Sequence, residues 1–414
     1  MYAARAGQAT AVASNGVPGI AIQDGAITTN KLAPAQVVKS LNGLRDDVVL
    51  AAGDGLGLTA ANGTLTLYTA PSCTDYTNCY WNLLGNGNTV DGTQFLGTFN
   101  GVPLSLRVNN QRVMRYEHPG ASPNLIGGYG GNAVSGGAYG AVIGGGGSSA
   151  DGINEVSANY GTIAGGAHNK IDTNAMAATI SGGWSHTNQA GTATIGGGTS
   201  SSIWAGASSS TIAGGFRNLV QSNAYDATIG GGRDNAIRTG AIRSTIAGGH
   251  QNVIQPAANF ATIPGGSQAN ANSYGQFAYA GGQFADSGDA QTSVYVVRRQ
   301  TTDGSTNELF LDGATQRMKV PSNGTWCFDV LVTARSSAGL SAGYRLQGVI
   351  ENSGGTTALV GWDAVMTKEE PAAVTWDAWP EADDANDALA IKVKGAASAT
   401  IRWVAVVRTA EVIR

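Results

Sequence analysis

The phrase Ile229-Gly-Gly-Gly, together with eight more like it between residues 125 and 283, decides the fold of this chain. The other phrases are Ile126-Gly-Gly, Ile143-Gly-Gly-Gly, Ile163-Ala-Gly-Gly, Ile180-Ser-Gly-Gly, Ile195-Gly-Gly-Gly, Ile212-Ala-Gly-Gly, Ile246-Ala-Gly-Gly and Ile263-Pro-Gly-Gly, with a weaker echo at Ala280-Gly-Gly. Successive Ile residues lie 17, 20, 17, 15, 17, 17, 17 and 17 residues apart, and Ala280 follows after 17 more. A fixed period of this kind indicates a stack of equivalent units.

A second aliphatic residue often stands eight positions after the lead Ile, so the unit offers two apolar anchors. These residues are Val134, Ile171, Ile203, Val220, Ile237 and Ile254. Gly-Gly after every lead Ile breaks a helix, and the recurring Thr-Ile pairs favour strands. The unit is therefore predicted to contain two short strands and two turns.

An Asn stands six residues after the lead Ile in five units. These are Asn132, Asn169, Asn218, Asn235 and Asn252. Asn tolerates left-handed backbone and hydrogen-bonds its own turn, so stacked copies are predicted to form a ladder of side-chain amides.

The low apolar content of each unit leads us to expect a homotrimer. Two inward aliphatic residues, each contributing roughly 1.5 to 3 kcal/mol, must offset roughly 1 to 2 kcal/mol of backbone ordering per residue. A thin coil that shares its apolar edge with identical chains meets this demand, and we predict a homotrimeric β-roll stalk. The alternative is a β-helix built by a single chain.

The composition is that of an extended β protein. The 414 residues include 61 Gly, and only 13% are charged. A net charge of −4 argues against nucleic acid or anionic lipid as a partner. No apolar run approaches a membrane span, and the first residues lack a secretory signal, so we expect release by lysis or another export route.

The three cysteines give no metal signature. Cys73 and Cys79 lie six residues apart in a polar loop, and their spacing leaves open whether they form a local disulfide. Cys327, between Trp326 and Phe328, is predicted to be a buried thiol. No His lies near any of them in the sequence, which disfavours zinc.

Five segments are predicted, and the fold class is an all-β, elongated fibre. Residues 1–25 form an extended docking arm, and residues 26–52 a short coiled-coil or an amphipathic helix, with Val37, Leu41, Leu44 and Val48 at heptad-like spacing. Residues 53–120 are β-rich, with a hairpin at Asn62-Gly63. Residues 121–290 form the stalk. Residues 291–414, with eight or so strands, form a compact sandwich or jelly roll, of which we predict the jelly roll.

Several phrases resemble phage tail-fibre-like proteins and large bacterial surface proteins. They are Val37-Val-Lys-Ser-Leu-Asn-Gly-Leu44, Val48-Val-Leu-Ala-Ala-Gly53, Pro103-Leu-Ser-Leu-Arg-Val-Asn-Asn-Gln-Arg-Val-Met-Arg-Tyr116 and Ser122-Pro-Asn-Leu-Ile-Gly-Gly128. The repeats are similar to the β-roll heads of trimeric autotransporter adhesins, which have a shorter period, and the last domain to trimeric jelly-roll tips. A Ser/Lys autocleavage dyad is not visible. The chain ends at Arg414 after a strand, without a membrane anchor, so we expect a phage or phage-like fibre.

The search for catalytic groups favours a protein that is not an enzyme. The acidic residues of the repeats occupy unrelated positions within the 17-residue unit, whereas a polysaccharide depolymerase needs two or three carboxylates on one face. They are Asp151, Glu155, Asp172, Asp226, Asp234, Asp286 and Asp289. The four His residues, His118, His168, His186 and His250, do not align along the stalk, so turn and solvent positions are favoured over a metal ring on a trimer axis. No cofactor and no metal are expected.

Candidate receptor contacts lie in the last domain. Three tryptophans stand near two acidic segments, 368–370 and 381–387, and aromatic faces beside carboxylates suit sugar binding. The candidates are Trp362, Trp376, Trp379, Asp383, Asp384 and Asp387. The alternatives are a core position for Trp376, as for Trp403, and a solvated acidic loop or a Ca²⁺ site for the Asp cluster.

These observations favour a structural, receptor-binding fibre on the surface of a virion. The expected partners are two sister chains, a tail or baseplate protein at the N-terminus, and a host-surface glycan or protein at the C-terminus. The rival hypotheses are a bacterial surface adhesin, a collar fibre without receptor contact, and a glycan-cleaving enzyme. Three tips acting together would multiply weak contacts.

Overall fold

A computed structural model describes residues 57–61, 64–68 and 95–414. The chain divides into two compact units, residues 1–96 and 97–414. The predicted docking arm, the predicted helical segment, Cys73 and Cys79 lie outside the described residues. No helix in the described part of the chain is long and apolar enough to cross a membrane.

The first unit contains the hairpin predicted around Asn62-Gly63. Strands β1 (Gly57–Ala61) and β2 (Thr64–Tyr68) pair antiparallel, with Ala61 opposite Thr64. This confirms the two-residue connection.

The second unit begins with a hairpin that joins the repeats. Strands β3 (Leu104–Val108) and β4 (Gln111–Glu117) pair antiparallel, and β4 pairs with β5 (Asn124–Gly127), the first strand of the repeat region. The hairpin therefore covers the edge that the first coil would otherwise expose.

The repeats form a β-solenoid of about nine turns, and each turn contributes one short strand to each of two parallel sheets. The first sheet contains the lead Ile residues and consists of β5, β7 (Val142–Ile143), β9 (Thr162–Ile163), β11 (Thr179–Ile180), β13 (Thr194–Ile195), β15 (Thr211–Ile212), β17 (Thr228–Ile229), β19 (Thr245–Ile246), β21 (Thr262–Ile263) and β24 (Phe277–Gly281). The second consists of β6 (Ala133–Val134), β8 (Glu155–Val156), β10 (Lys170–Ile171), β12 (Thr187–Asn188), β14 (Ser202–Ile203), β16 (Leu219–Val220), β18 (Ala236–Ile237), β20 (Val253–Ile254) and β23 (Asn270–Ala271).

A third side of the solenoid is held by single β-bridges. They join the residues four positions after successive lead Ile residues, from Ala167 through Phe216 to Ser267. Strand β22 (Gly266–Ser267) ends this row by pairing with β24. The sequence predicted two strands per unit and missed this third contact, because its outward side chains share no residue type.

The interior of the solenoid corrects the argument for a shared apolar edge. In the coil that starts at Ile229, the side chains of Ile229, Asn235, Ile237, Ala241 and Ser244 are all fully buried within one chain. The same holds for the other lead residues Ile163, Ile180, Ile195, Ile212, Ile246 and Ile263. The prediction counted two inward residues per coil and overlooked the small and amide side chains, so the core matches the single-chain alternative. A homotrimer needs a basis other than the shared core.

The buried Asn side chains form the ladder expected from their spacing. Asn218 Oδ1 accepts the backbone N–H of Asn235 at 3.1 Å, and Asn235 Oδ1 accepts that of Asn252 at 3.0 Å. Asn235 Nδ2 donates to the carbonyls of Gly231 in its own coil and Gly249 in the next, both at 3.0 Å. Asn132, Asn154 and Asn169 continue the ladder towards the N-terminus. Asn154 escaped prediction because the 20-residue unit displaces it.

His186 occupies the Asn position of the short, 15-residue unit. Its ring is fully buried, its backbone N–H donates to Asn169 Oδ1 at 3.1 Å, and its Nδ1 accepts the N–H of Ser201 at 3.1 Å. Burial lowers the pKa of His186, against the opposing effect of backbone hydrogen bonds to Ser201 and Gly198. The predicted solvent position is therefore wrong for this residue.

The C-terminal residues form a β-sandwich. The large sheet has the order β25 (Ala290–Thr301), β33 (Ile401–Ile413), β28 (Gly324–Ser336), β29 (Ser341–Ser353) and β30 (Thr356–Glu369), all antiparallel. The small sheet places β32 (Ala388–Lys394) between β31 (Asp377–Asp383) and the pair β26 (Thr306–Leu309) and β27 (Met318–Lys319). Two short 3-10 turns, Pro371–Ala373 and Asp384–Asn386, complete it.

The core between the two sheets contains the large aromatic residues of the domain. Trp326, Trp403, Tyr295 and Tyr344 are fully buried there. Cys327 faces away from this core and is exposed, so the predicted buried thiol is wrong. Alternation along β28 explains this, because its neighbours Trp326 and Phe328 both point inward. The strand order supports a compact sandwich, and the jelly-roll connectivity stays a prediction.

Solenoid and sandwich are joined by hydrogen-bonded strands. Strand β24 pairs with β21 of the solenoid on one side and with β25 of the sandwich on the other. Beside this junction, buried Glu411 accepts hydrogen bonds from Gln291 at 2.8 Å and Tyr295 at 3.4 Å. Burial raises the pKa of Glu411, against hydrogen bonds that lower it.

Candidate functional site

Trp376 lies in the sandwich core, which corrects its prediction as a receptor contact. Its side chain is 3% exposed, and its ring centroid lies 5.8 Å from that of Trp403. The position was open to both interpretations in the sequence, and the packing of the two sheets decides it. Trp376 therefore lies outside the candidate site.

The acidic turn after β31 is used within the fold. Asp384 Oδ1 accepts the backbone N–H of Thr357 at 2.6 Å. Asp387, which has a left-handed φ of 52°, accepts from Asn352 Nδ2 at 3.0 Å and from Thr357 Oγ1 at 3.2 Å. These contacts attach the turn to the start of β30. They give both carboxylates a structural role, which differs from the predicted role as acceptors for sugar hydroxyls.

Trp379 lies at the outer face of the small sheet, in a row that crosses three strands. Lys392 on the central strand is opposite Trp379 on one side and Glu308 on the other. Trp379 is half-buried, and its neighbours Asp377 and Glu381 on the same strand are exposed. We call Glu308, Arg317, Trp379, Glu381, Asp383 and Lys392 the small-sheet face.

Ion pairs order the charged groups of the small-sheet face. Glu308 contacts Arg317 Nε at 3.0 Å and Lys392 Nζ at 3.2 Å. Arg317 Nε also contacts Asp383 Oδ2 at 3.1 Å, and Lys392 Nζ lies 3.9 Å from Glu381 Oε1. Glu308 is almost buried and pairs with both Arg317 and Lys392. This network therefore holds the charged side chains of the small-sheet face in fixed positions. An aromatic side chain beside fixed donors and acceptors suits the apolar face and hydroxyl edge of a sugar.

Sequence reasoning found Trp379 and Asp383 but missed Glu308, Arg317 and Lys392. Glu308 and Arg317 lie 62 or more positions from Trp379 in the chain, and Lys392 lies on the next strand. Strand pairing places Lys392 opposite both Trp379 and Glu308, and ion pairs join Arg317 to Glu308 and Asp383. The one available signal was alternation along β32, where Lys392 interrupts a run of buried residues.

Trp362 lies on a different part of the sandwich. It stands on β30, opposite Gly348, and its side chain is 41% exposed. A Cβ atom at position 348 would lie 2.6 Å from Phe328 Cζ and 2.8 Å from Trp362 Cβ, so Gly348 makes room for both side chains. Trp362 therefore belongs to the large sheet, and the structure does not place it among the residues of the small-sheet face.

The acids of the solenoid have separate partners. Asp172 contacts Lys170 at 3.0 Å, Asp234 contacts Arg217 at 2.6 Å, and Asp226 contacts Arg243 at 3.5 Å. Asp289 accepts the backbone N–H groups of residues 284, 285 and 286, and these lower its pKa although burial raises it. In the described ranges no group of three or more His, Cys, Asp or Glu side chains is arranged to hold a metal ion.

Comparison with known proteins gives a weak structural likeness to a solved structure. No protein-family model matches the chain, and no curated protein matches it. A crystal structure of the tailspike protein of Acinetobacter phage vB_ApiP_P1 is similar to it at 11% sequence identity and a TM-score of 0.17, over 66% of this chain and 62% of that chain. The chain thus spans less than two thirds of that tailspike's length. At this TM-score the likeness carries no argument about function.

Proposed function

We propose that this protein is a structural fibre of a tailed phage or phage-like particle, with its N-terminus attached to the particle and its C-terminal sandwich directed at the host. The observation that carries the proposal is the strand path from β21 through β24 to β25. About nine coils at roughly 4.8 Å each give a rod on the order of 40 Å, and hydrogen bonds join it to the sandwich. A rod joined in this way holds the sandwich at a fixed distance from the first coil of the solenoid.

The small-sheet face is the receptor-binding surface in this proposal, and a host-surface glycan is its ligand. Trp379 offers a face for stacking, and Glu308, Lys392 and Glu381 offer fixed hydrogen-bonding groups. The fibre acts as a homotrimer, because three weak sites engaged together multiply the strength of attachment. It binds without cleaving.

The test uses the purified full-length chain on bacterial cells and on arrays of bacterial surface glycans. We expect binding that is at least about fivefold weaker in Trp379→Ala, since stacking on an aromatic ring contributes about 1 to 3 kcal/mol to comparable sites. The control is Val374→Ala, an exposed side chain outside the small-sheet face. Thermal unfolding of both variants checks that the fold is intact.

Three outcomes would contradict this proposal. Binding to neither cells nor glycans would favour the collar fibre without receptor contact. Release of new reducing ends from a bound polysaccharide would favour the depolymerase. Detection of the chain on a bacterial surface, in cells that carry no phage, would favour the adhesin.

A further inference from the structure

Strand β30, at one edge of the large sheet, exposes apolar side chains on both of its faces. Every residue from Val360 to Lys368 is exposed. Val360 is 65% exposed and Val365 51%, and β30 pairs with β29 alone among the described strands. A long, apolar, uncovered edge strand promotes association with another chain.

A second apolar surface lies near the other edge of the same sheet. Val296, Val406 and Leu331 are directly opposite one another on β25, β33 and β28. Val296 is 49% exposed, Leu331 45%, and the adjacent Val404 44%. These four residues form the valine patch, on the sheet face that points away from the sandwich core.

Arginines lie at one end of the valine patch. Arg402 is directly opposite Arg335, and Arg298 is opposite Val404 in the neighbouring row. Like charges on directly opposed residues destabilise a sheet. Within the described part of the chain none of these three guanidinium groups has a carboxylate at ion-pair distance, and Arg298 and Arg402 line a cleft of about 370 Å³.

The charge of the β30 segment is opposite to that of this cluster. This segment carries three carboxylates, Asp363, Glu369 and Glu370, and one cation, Lys368. Asp363 and Glu370 have no ion-pair partner among the residues that the structure describes. Apolar and charged features therefore match between the two edges of one sheet.

We propose that β30 of one chain packs against the valine patch and arginine cluster of a second copy, and that this contact closes a threefold ring. The contact joins two different surfaces, so each copy uses both, and a ring forms when the rotation closes. The inference rests on the homotrimer of the proposed function and deepens it by naming the interface. It also assigns Trp362 to the subunit contact, away from the receptor.

A second copy fits these surfaces better than a glycan does. Val360, Val365 and Met366 offer aliphatic area with few hydrogen-bonding groups, which is typical of a subunit interface core. Each copy also brings both the acidic strand and the basic patch that the other needs. An acidic polysaccharide bound to the arginines is the competing occupant, and the test separates the two.

The test measures the mass of the full-length chain and its variants by native mass spectrometry at micromolar concentration. Val365→Glu alters β30, Leu331→Glu alters the valine patch, and Val374→Glu is the control outside both surfaces; all three side chains are exposed. We expect three chains for the wild type and the control. Each interface variant is expected to associate about 30-fold more weakly or worse, as at other interface hot spots. Its circular-dichroism spectrum is expected to match that of the wild type, whereas its melting temperature falls because the subunit contact no longer stabilises the folded state.

Mixing the two interface variants gives a sharper readout. Each retains one intact surface, so an equimolar mixture is expected to form heterodimers joined by a single contact, while each variant alone stays monomeric. Trimers that persist in both variants would overturn the interface and leave the homotrimer standing. A monomeric wild type would overturn both. Loss of binding to an acidic polysaccharide in Arg402→Ala, with the trimer unchanged, would assign the arginines to the glycan instead.

Discussion

The side-chain oxygen of Asn218 accepts a hydrogen bond from the backbone N–H of Asn235, the equivalent residue of the next coil, at 3.1 Å. The same bond recurs between Asn235 and Asn252. One amide per coil thus links three levels of the stack, because Asn235 Nδ2 also reaches the carbonyl of Gly249 at 3.0 Å. The ladder satisfies buried polar groups that two-residue strands leave without partners.

Replacement of Asn235 by Ala should destabilise the solenoid by about 2 to 4 kcal/mol, because it leaves the buried N–H of Asn252 and the carbonyl of Gly231 without their partner. The control is Arg238→Ala, an exposed side chain directly after β18, expected to lie within about 0.5 kcal/mol of the wild type. Urea unfolding followed by circular dichroism measures both. Equal stability of the two variants would show that the ladder contributes nothing.

In the Ile-Ala-Gly-Gly units, the Gly-Gly doublet should be sensitive to Ala at its second position only. A Cβ at Gly249, whose φ is 95°, would overlap the carbonyl oxygen of Gly266, whereas nothing lies within 4 Å of a Cβ at Gly248. Gly249→Ala is therefore expected to destabilise the protein by more than about 2 kcal/mol, and Gly248→Ala to change its stability by less than about 1 kcal/mol. Melting temperatures of the two variants decide the point. A larger loss for Gly248→Ala would contradict the coil geometry.

His186 should make the solenoid sensitive to acid. Its pKa is lowered in the folded state, so between the ordinary value of 6.5 and the folded-state value the unfolded chain binds the extra proton. The contribution of His186 to the free energy of unfolding is full above the ordinary pKa and falls as the pH drops towards the folded-state pKa. We expect His186→Asn to remove most of this slope, measured as the melting temperature between pH 5 and 8. An unchanged slope would place the titrating group elsewhere.

Glu411 at the junction should give the stability of the protein the opposite dependence on pH. Its pKa is raised by burial, so its contribution is full below the ordinary value of 4.5 and declines as the pH rises through the folded-state pKa. Glu411→Gln keeps the shape without the charge and is expected to raise the stability at pH 7 and flatten its dependence on pH. Glu351→Gln, at a less buried position, serves as the control. A Glu411→Gln protein that is less stable at pH 7 would show that the charged form is favoured.

The candidate site was only partly within reach of sequence reasoning. Trp379 and Asp383 were found through their residue types and their closeness along the chain. Glu308 and Lys392 join them only because β26, β32 and β31 are neighbours in one sheet. Trp376 lies in a similar stretch of sequence and was wrongly assigned to the site, because its burial depends on which sheet covers it.

The sequence by itself determined the solenoid, since a 17-residue period with one lead Ile per unit leaves few ways to stack the chain, and each Ile pairs with the next. It also determined the Asn ladder, because equal spacing brings equal side chains to the same level of successive coils. Only the tertiary structure decided that one chain encloses the core, because the buried Ala and Ser side chains close it without resembling a core in the sequence. It alone also decided which tryptophans face solvent, because that depends on contacts between strands far apart in the chain.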